Sequence, residues 1–137
     1  MKLHLHDNQS FQILKITDLH LKDYPWNDAD EKTLIHINET VTRHRPDLVM
    51  FTGDMIWATL INNPLVSYQQ FITFCQELAV PIAITYGNHD TNHPDVSRQL
   101  LREMESQIDL LVDKNEIMVI QDRESYIISI YGEQKKV

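Results

Sequence analysis

The sequence of 137 residues lacks several features that would assign it to a broad class of proteins. It has a single cysteine, Cys75, so an internal disulfide is impossible and a reducing compartment is the simplest expectation. No apolar run approaches the roughly 20 residues that a membrane-spanning helix needs. The first ten residues, MKLHLHDNQS, contain no continuous apolar stretch, so we expect no secretory signal. These absences predict a cytoplasmic protein without a membrane anchor.

The chain also lacks an excess of basic residues. Its 20 acidic and 12 basic side chains give a net charge of −8. This balance argues against a protein that holds nucleic acid, because such proteins neutralise phosphates with lysine and arginine. An enzyme acting on phosphates is still compatible with it, since metal ions can supply the positive charge. The hydrophobic content of 42% predicts one soluble, globular domain over residues 1–137.

Glycine is scarce as well. The three glycines, Gly53, Gly87 and Gly132, are far apart, so there is no glycine-rich phosphate-binding loop. A nucleotide-binding α/β module is therefore the weakest of the functions that we consider. Gly53 and Gly87 each precede a polar group, and at such positions a missing side chain lets the backbone turn sharply and approach a ligand.

Short apolar runs alternate with amphipathic segments along the chain. Strand, helix, strand, helix, strand is the order typical of a parallel sheet with right-handed crossovers. In such sheets, ligands bind beyond the carboxyl ends of the strands. The predicted strands are 11–16, 47–51 and 80–85, and the predicted helices are 28–46, 67–79 and 93–108.

Local signals predict where some of these elements begin and turn. Asp28 and Glu31 have the spacing of a capping box and predict the start of the first helix. Pro94 predicts the first turn of the third helix. Two further β-rich runs, 116–121 and 125–131, predict a hairpin that turns across Asp122 to Glu124.

Polar residues follow each of the three predicted strands. The first strand is followed by TDLH, the second by TGDM and the third by YGNHD. Asp18 and His20 are two residues apart, so in an extended chain both side chains project to one side. Because the carboxyl ends of parallel strands meet at one edge, we expect these groups to converge. The candidate ligands are Asp18, His20, Asp54 and Asn88.

This set of ligands predicts a metal centre. Two carboxylates, an imidazole and an amide suit Mn²⁺, Fe, Zn²⁺ or Mg²⁺ better than a metal that seeks thiolates. Asp54 comes from the middle strand and is the natural carboxylate to bridge two ions, which in such centres lie about 3.5 to 4 Å apart. His89 is followed directly by Asp90, a pattern typical of an imidazole that a carboxylate orients.

In their order and spacing, Asp18-x-His20, Gly53-Asp54 and Gly87-Asn88-His89-Asp90 resemble the first three motifs of the calcineurin-like metallophosphoesterase superfamily. The resemblance covers residues 11–90 closely and residues 91–131 by general layout. It implies a phosphate-ester substrate, two divalent metal ions and a metal-bridging hydroxide as the attacking group.

The resemblance also implies a role for each residue of the motifs. Asp18 and His20 would hold the first metal ion, and Asp54 would bridge the two ions. Asn88 would hold the second ion. His89 would contact the substrate phosphate and protonate or stabilise the leaving oxygen, and Asp90 would support His89.

The family pattern continues with histidines in a Gly-His pair and a Gly-His-x-His motif, but this sequence contains no Gly-His. The resemblance therefore implies the β-α-β-α-β units of about the first half of a four-layer αββα sandwich. A non-catalytic half-domain that binds metal or a partner is the alternative function. A half-sandwich would leave apolar residues of the two β-rich runs uncovered, so we expect self-association or pairing with a missing C-terminal half.

Other polar and aromatic residues have two interpretations. The histidines of the segment His4 to His6 are more typical of an edge strand or solvated terminus, at the opposite edge of the sheet, than of a metal site. His93 is interpreted as a residue near a helix start, with a substrate-side role as the alternative. Trp26 and Trp57 each follow a motif, so they either line the rim of the cleft or pack against loops.

Overall fold

The computed structural model describes residues 1–5 and 10–132. His6 therefore lies outside the described residues, while His4 lies in an edge strand as expected. Within the described residues, no helix combines the length and the apolar character needed to cross a membrane. The strands are β1 (Leu3–His4), β2 (Ile13–Ile16), β3 (Leu48–Thr52), β4 (Ile82–Thr85), β5 (Asn115–Ile120), β6 (Arg123–Ile127) and β7 (Ile130–Tyr131), and the helices are α1 (Asp28–His44), α2 (Pro64–Glu77) and α3 (Arg98–Glu105).

A parallel three-stranded sheet, in the order β2-β3-β4, positions everything that follows. Helix α1 connects β2 to β3, and α2 connects β3 to β4. The registers pair Ile13 with Leu48 and Val49 with Ile82. The predicted β-α-β-α-β arrangement is thus confirmed. Two smaller sheets complete the chain: β1 pairs with β7 in parallel, and β5 pairs with β6 in antiparallel orientation.

The two faces of the parallel sheet are covered to different extents. Successive side chains of a strand point to opposite faces, and in β3 Val49 and Phe51 join the large core that packs against the helices. Leu48 points the other way, into a smaller cluster. The buried members of that cluster are Leu3, Leu48, Ala83 and Val112.

Helix α1 begins at Asp28 as predicted, but its capping residue differs from the one expected. The cap of α1 is Asn27, whose side-chain oxygen accepts hydrogen bonds of 2.9 Å from the backbone N–H groups of Ala29 and Asp30. The expected capping box of Asp28 with Glu31 is therefore wrong, because Asp28 is already inside the helix. Helix α3 begins at Arg98, later than the predicted start at residue 93. Its cap is Ser97, and Pro94 lies in the preceding turn.

The predicted hairpin is present as β5 and β6, but its turn is shifted. Gln121 and Asp122 form a two-residue turn with φ of 49° and 63°, the left-handed geometry that matches the twist of paired strands. Glu124 lies inside β6, opposite Val119. The expectation that apolar side chains of this region are uncovered is confirmed. The side chains that are 48–59% exposed are Ile117, Met118, Val119, Ile120 and Ile127.

Candidate metal centre

The loops after β2 and β3 place Asp18, His20 and Asp54 at one edge of the sheet. The backbone N–H of Asp18 donates to the carbonyl of Gly53 at 3.1 Å, and that of His20 donates to the carbonyl of Asp54 at 2.9 Å. Asp18, His20 and Asp54 all have a positive φ, between 50° and 57°. The expected extended backbone at Asp18 and His20 is therefore wrong. Their side chains meet nonetheless, with Asp18 Oδ1 lying 3.7 Å from His20 Nε2.

His20, Asp54 and His89 form a cluster that could hold a metal ion. Each offers one ligand atom, and these atoms all lie within 4.8 Å of one another. His20 Nε2 is 3.5 Å from Asp54 Oδ2. This nitrogen is buried and has no hydrogen-bond partner among the described residues. Because a buried polar atom without a partner is costly, and because imidazole and carboxylate suit divalent ions, these residues fit a metal.

Asp54 is held from the opposite side by the loop after β4. The backbone N–H of His89 donates to Asp54 Oδ1 at 2.9 Å, which leaves Oδ2 facing His20. A Cβ atom at Gly87 would lie 2.0 Å from Asp54 Oδ1, so a side chain there would collide with the carboxylate. Gly53 has a φ of +110°, and a Cβ there would lie 2.9 Å from the nitrogen of Gly87. These two glycines let the loops approach each other.

Asp90 joins the same two loops and does not orient the imidazole of His89 as expected. Its side chain is fully buried, and its Oδ2 accepts backbone N–H donors of Asp54 and Gly87 at 2.8 Å. Its Oδ1 accepts the N–H of Ile56 at 3.1 Å. Burial raises the pKa of Asp90, and the three backbone donors lower it part of the way back. With both oxygens engaged by the backbone, Asp90 is a positioning residue.

Two of the predicted ligands lie at the margin. The side chain of Asp18 is 58% exposed and accepts a hydrogen bond of 2.6 Å from the hydroxyl of Thr17, so Asp18 is not part of the compact cluster. Asn88 is exposed and has a φ of −80°, in the ordinary right-handed region. It lines a neighbouring pocket instead. The metal roles of Asp18 and Asn88 stay predictions.

The aromatic residues of the region divide into two groups. The ring of Trp57 lies 4.8 Å from that of His20 and 4.7 Å from that of His89, measured between centroids. Trp57 therefore belongs to the site. Trp26 packs against Tyr24 and the main core, which supports the loop-packing interpretation. His93 accepts a hydrogen bond from the backbone of Asp95 through Nδ1, so it helps to shape the turn before α3.

A buried polar network behind the site was not predicted. Tyr86, the residue before Gly87, donates a hydrogen bond to Glu105, and Glu105 also pairs with Lys114. Lys114 Nζ reaches Glu124 in β6 at 2.7 Å, which ties the hairpin to the end of β4. Burial raises the pKa of Glu105, partly offset by Lys114 and Tyr86. A glutamate in an amphipathic helix is typical of an exposed face, so only the tertiary packing identifies this one.

The sequence that forms the parallel sheet and the candidate metal centre matches a known protein family. The sequence matches the family model of the calcineurin-like phosphoesterases over residues 11–135. The chain belongs to the calcineurin-like phosphoesterase family. Its parallel β-α-β units are those of half of a metallophosphoesterase fold, as the three sequence motifs implied.

Three relatives show how the chain compares with longer proteins. It is 30% identical over 115 residues to the uncharacterized protein C1020.05 of Schizosaccharomyces pombe, an alignment covering 74% of this chain and 22% of the relative. It is 36% identical over 89 residues to the uncharacterized metallophosphoesterase YkuE of Bacillus subtilis, covering 62% and 28%. It is 24% identical over 115 residues to the probable inactive purple acid phosphatase 29 of Arabidopsis thaliana, covering 75% and 30%. The chain thus spans between about a fifth and a third of each relative.

Proposed function

We propose that this chain carries the metal-binding edge of a metal-dependent phosphoesterase, a hydrolase that cleaves phosphate esters. The observation that carries the proposal is the convergence of His20, Asp54 and His89 at the ends of three parallel strands, with ligand atoms within 4.8 Å. The buried Nε2 of His20, which has no partner in the described part of the chain, supports a cation at this place. Membership of the calcineurin-like phosphoesterase family supports the reaction class.

The ligands of the first ion in this proposal are His20 Nε2 and the carboxylates that lie closest to it. His20 Nε2 and the carboxylates of Asp54 and Asp18, 3.5 and 3.7 Å away, would hold one divalent ion. Asp54 and Asn88 would hold a second. Mn²⁺, Fe, Zn²⁺ and Mg²⁺ suit such oxygen and imidazole ligands. Bound at this edge, divalent ions would supply positive charge to phosphoryl oxygens and make water a better nucleophile.

His89, the third member of the cluster, would contact the substrate phosphate in this proposal rather than hold an ion. Its Nδ1 lies 3.1 Å from the side-chain nitrogen of Asn92. When that amide donates to Nδ1, the proton of the neutral imidazole is on Nε2, the form needed to donate to a phosphate oxygen or to a leaving oxygen. Trp57 packs against the rings of both histidines and shields them from water on one side.

Metal titration by calorimetry tests the first part of this proposal. We expect the chain to bind Mn²⁺ or Zn²⁺. Asp54→Asn should weaken binding by at least about 100-fold, because loss of a charged ligand costs more than the tenfold to 100-fold seen for supporting residues. Asp109→Asn, at an exposed acidic residue, is the control. Equal affinities of these two variants would refute the metal centre.

Hydrolysis of an aryl phosphate tests the second part. In a longer version that supplies the histidines of the missing family motifs, we expect turnover only with divalent metal present. Asp54→Asn should lose more turnover there than His93→Ala, whose ring serves a turn. Small and equal effects of the two substitutions would contradict the assignment of the site.

A non-catalytic half-domain that needs a second chain is the other candidate function. The exposed apolar side chains of β5, 51–59% accessible from Ile117 to Ile120, favour it. The name of one relative, a probable inactive phosphatase, is also compatible with it. Metal binding without any turnover by the metal-loaded chain would support this function.

We also propose a reducing, cytoplasmic location, because the single cysteine is buried and serves only packing. Cell fractionation that finds the protein outside the cytoplasm would overturn this location.

A further inference from the structure

A pocket with a volume of about 440 Å³ opens beside the candidate metal centre. One wall is the loop after β4, at Gly87 and Asn88. The other walls are Arg98, the first residue of α3, and residues 123–126 of β6. The volume lies within the roughly 300 to 1,000 Å³ typical of small-molecule sites. The next residue after Asn88 is His89 of the metal cluster, so the pocket and the centre share one loop.

Two guanidinium groups, those of Arg98 and Arg123, line this pocket. Within residues 1–5 and 10–132, neither has a carboxylate at ion-pair distance, whereas Arg102 pairs with Asp122 at 2.7 Å. The chain as a whole carries a net charge of −8. Arg43 and Arg45 also lack an ion pair among the described residues, so what distinguishes Arg98 and Arg123 is that both line one pocket.

The acidic groups near the pocket are already engaged. Glu124 accepts Lys114 Nζ at 2.7 Å. Asp122 accepts Arg102 and the backbone N–H of Arg98, at 2.7 and 2.9 Å. Both arginines are therefore available to an anionic ligand that enters the pocket.

Arg98 is held in place for such a ligand. One of its terminal nitrogens donates to the carbonyl of Gly87 at 2.8 Å, which fixes the guanidinium against the loop of the metal centre. An arginine has five N–H donors, so others stay available for an anion. Asn88, an amide donor, lies on the same wall.

We propose that this pocket is a subsite for a second phosphate group, so that the chain takes organic phosphates with two phosphate groups. The reacting phosphate would lie at the metal centre, and Arg98 and Arg123 would bind the other, because guanidinium matches phosphate in charge and in bidentate geometry. This inference rests on the proposed phosphoesterase function and adds the substrate class.

Titration with inorganic pyrophosphate, in buffer freed of metal by a chelator, tests the subsite. We expect the wild-type chain to bind it and Arg123→Gln to weaken binding by about tenfold, the loss of one charge-assisted contact. Arg98→Gln should weaken binding at least as much. Arg43→Gln, at an exposed arginine of α1, is the matched control and should bind as the wild type does. Circular dichroism checks that each variant is folded.

The two variants differ in what their failure would mean. Arg98 also supports the loop through the carbonyl of Gly87, so its loss can act on the structure. Arg123 is exposed and has no hydrogen bond to other described residues through its guanidinium, so a weaker binding of pyrophosphate by Arg123→Gln supports a direct contact. If Arg123→Gln binds pyrophosphate as tightly as Arg43→Gln does, the subsite is wrong.

A separate metal titration of the same proteins distinguishes the two proposals. Normal metal affinity of Arg123→Gln, together with its weakened binding of pyrophosphate, supports both. Normal metal affinity of the wild type with no binding of pyrophosphate overturns the subsite alone. Binding of pyrophosphate by a wild-type chain that takes no divalent metal overturns the phosphoesterase proposal and, with it, the assignment of the pocket to a substrate.

Discussion

The parallel sheet and the β5-β6 hairpin are built from similarly apolar runs, yet only one of them is covered. In β4, Ile82, Ala83 and Ile84 are at most 1% exposed. In β5, Ile117 to Ile120 are 51–59% exposed. Strand β4 has β3 on one side and Leu111 on the other, with packed side chains on both faces. Among the residues that the structure describes, strand β5 pairs only with β6. An apolar run predicts a strand, but its neighbours decide whether it is buried.

The candidate metal centre lies on the covered region, where loops lock one another. Asp90 accepts the backbone N–H groups of Asp54 and Gly87 at 2.8 Å, and Asp54 accepts that of His89 at 2.9 Å. Substitutions at the metal centre should therefore lower the free energy of unfolding, whereas substitutions on the hairpin should alter self-association of the chain.

The largest effect should come from Gly87→Ala, at the closest contact of the covered region. The new Cβ would lie 2.0 Å from Asp54 Oδ1 and 2.8 Å from the backbone nitrogen of Asp54. The backbone of Asp54 can move away from the new methyl group only by disrupting the loop. We therefore expect a loss of about 3 kcal/mol or more in the free energy of unfolding. Urea unfolding measures it, with Gly132→Ala as the control. A loss below about 1 kcal/mol would show that the loops are less tightly locked than we infer.

Asp90→Asn should have the next largest effect. The amide nitrogen would face at least one of the three backbone N–H groups that the carboxylate now accepts. A buried donor left without an acceptor costs about 1 to 3 kcal/mol. We expect that loss in urea unfolding of the metal-free chain, and almost none for Asp109→Asn at the surface. Equal stability of the two variants would contradict the positioning role of Asp90.

Glu105→Gln probes the junction between the two regions and should change how stability depends on pH. Burial raises the pKa of Glu105 above its ordinary 4.5, so the folded state holds the proton more tightly than the unfolded state. This contribution to stability is complete below pH 4.5 and is lost as the pH rises through the folded-state pKa.

The variant lacks this loss, so the stability of the wild type relative to Glu105→Gln should fall as the pH rises above 4.5. Urea unfolding at several pH values checks it, with Glu103→Gln, exposed on the same helix, as the control. A difference that grows with pH would mean that the ion pair with Lys114 outweighs burial.

The smallest effect on stability should come from Met118→Lys on the hairpin. Met118 is 56% exposed and lies opposite Ser125, so we expect a change within about 0.5 kcal/mol. Association should respond strongly, because a lysine on an open edge strand disfavours pairing with another chain. Sedimentation velocity should show less self-association than for the wild type or for Ile35→Lys, at a similarly exposed residue of α1. A monomeric wild type would refute the association.

Much of the fold and part of the site follow from the sequence, for physical reasons. Apolar runs followed by polar residues predict strand ends, and these place His20, Asp54 and His89 at one edge. The left-handed backbone at Asp18 and His20 cannot be predicted from the local sequence, because it depends on hydrogen bonds to Gly53 and Asp54.

The role of Asp90 is hidden for a similar reason. Its neighbour in sequence is His89, but two of its three backbone partners, Asp54 and Ile56, are more than 30 positions away. The buried Glu105 likewise depends on Lys114 and Tyr86, which the helical pattern does not reveal. Sequence periodicity describes one element at a time, whereas these roles arise between elements.

The order of strands in the parallel sheet has a consequence for the time course of folding. Strands β2, β3 and β4 lie side by side in the order in which they are synthesised. Each strand can therefore pair with one that has already formed, which keeps every closing loop short. Asp90 then reaches back to Asp54 and Ile56 and closes the loops. On a growing chain we expect the metal centre to be assembled early, and the hairpin at 115–127 to be added to a site that already exists.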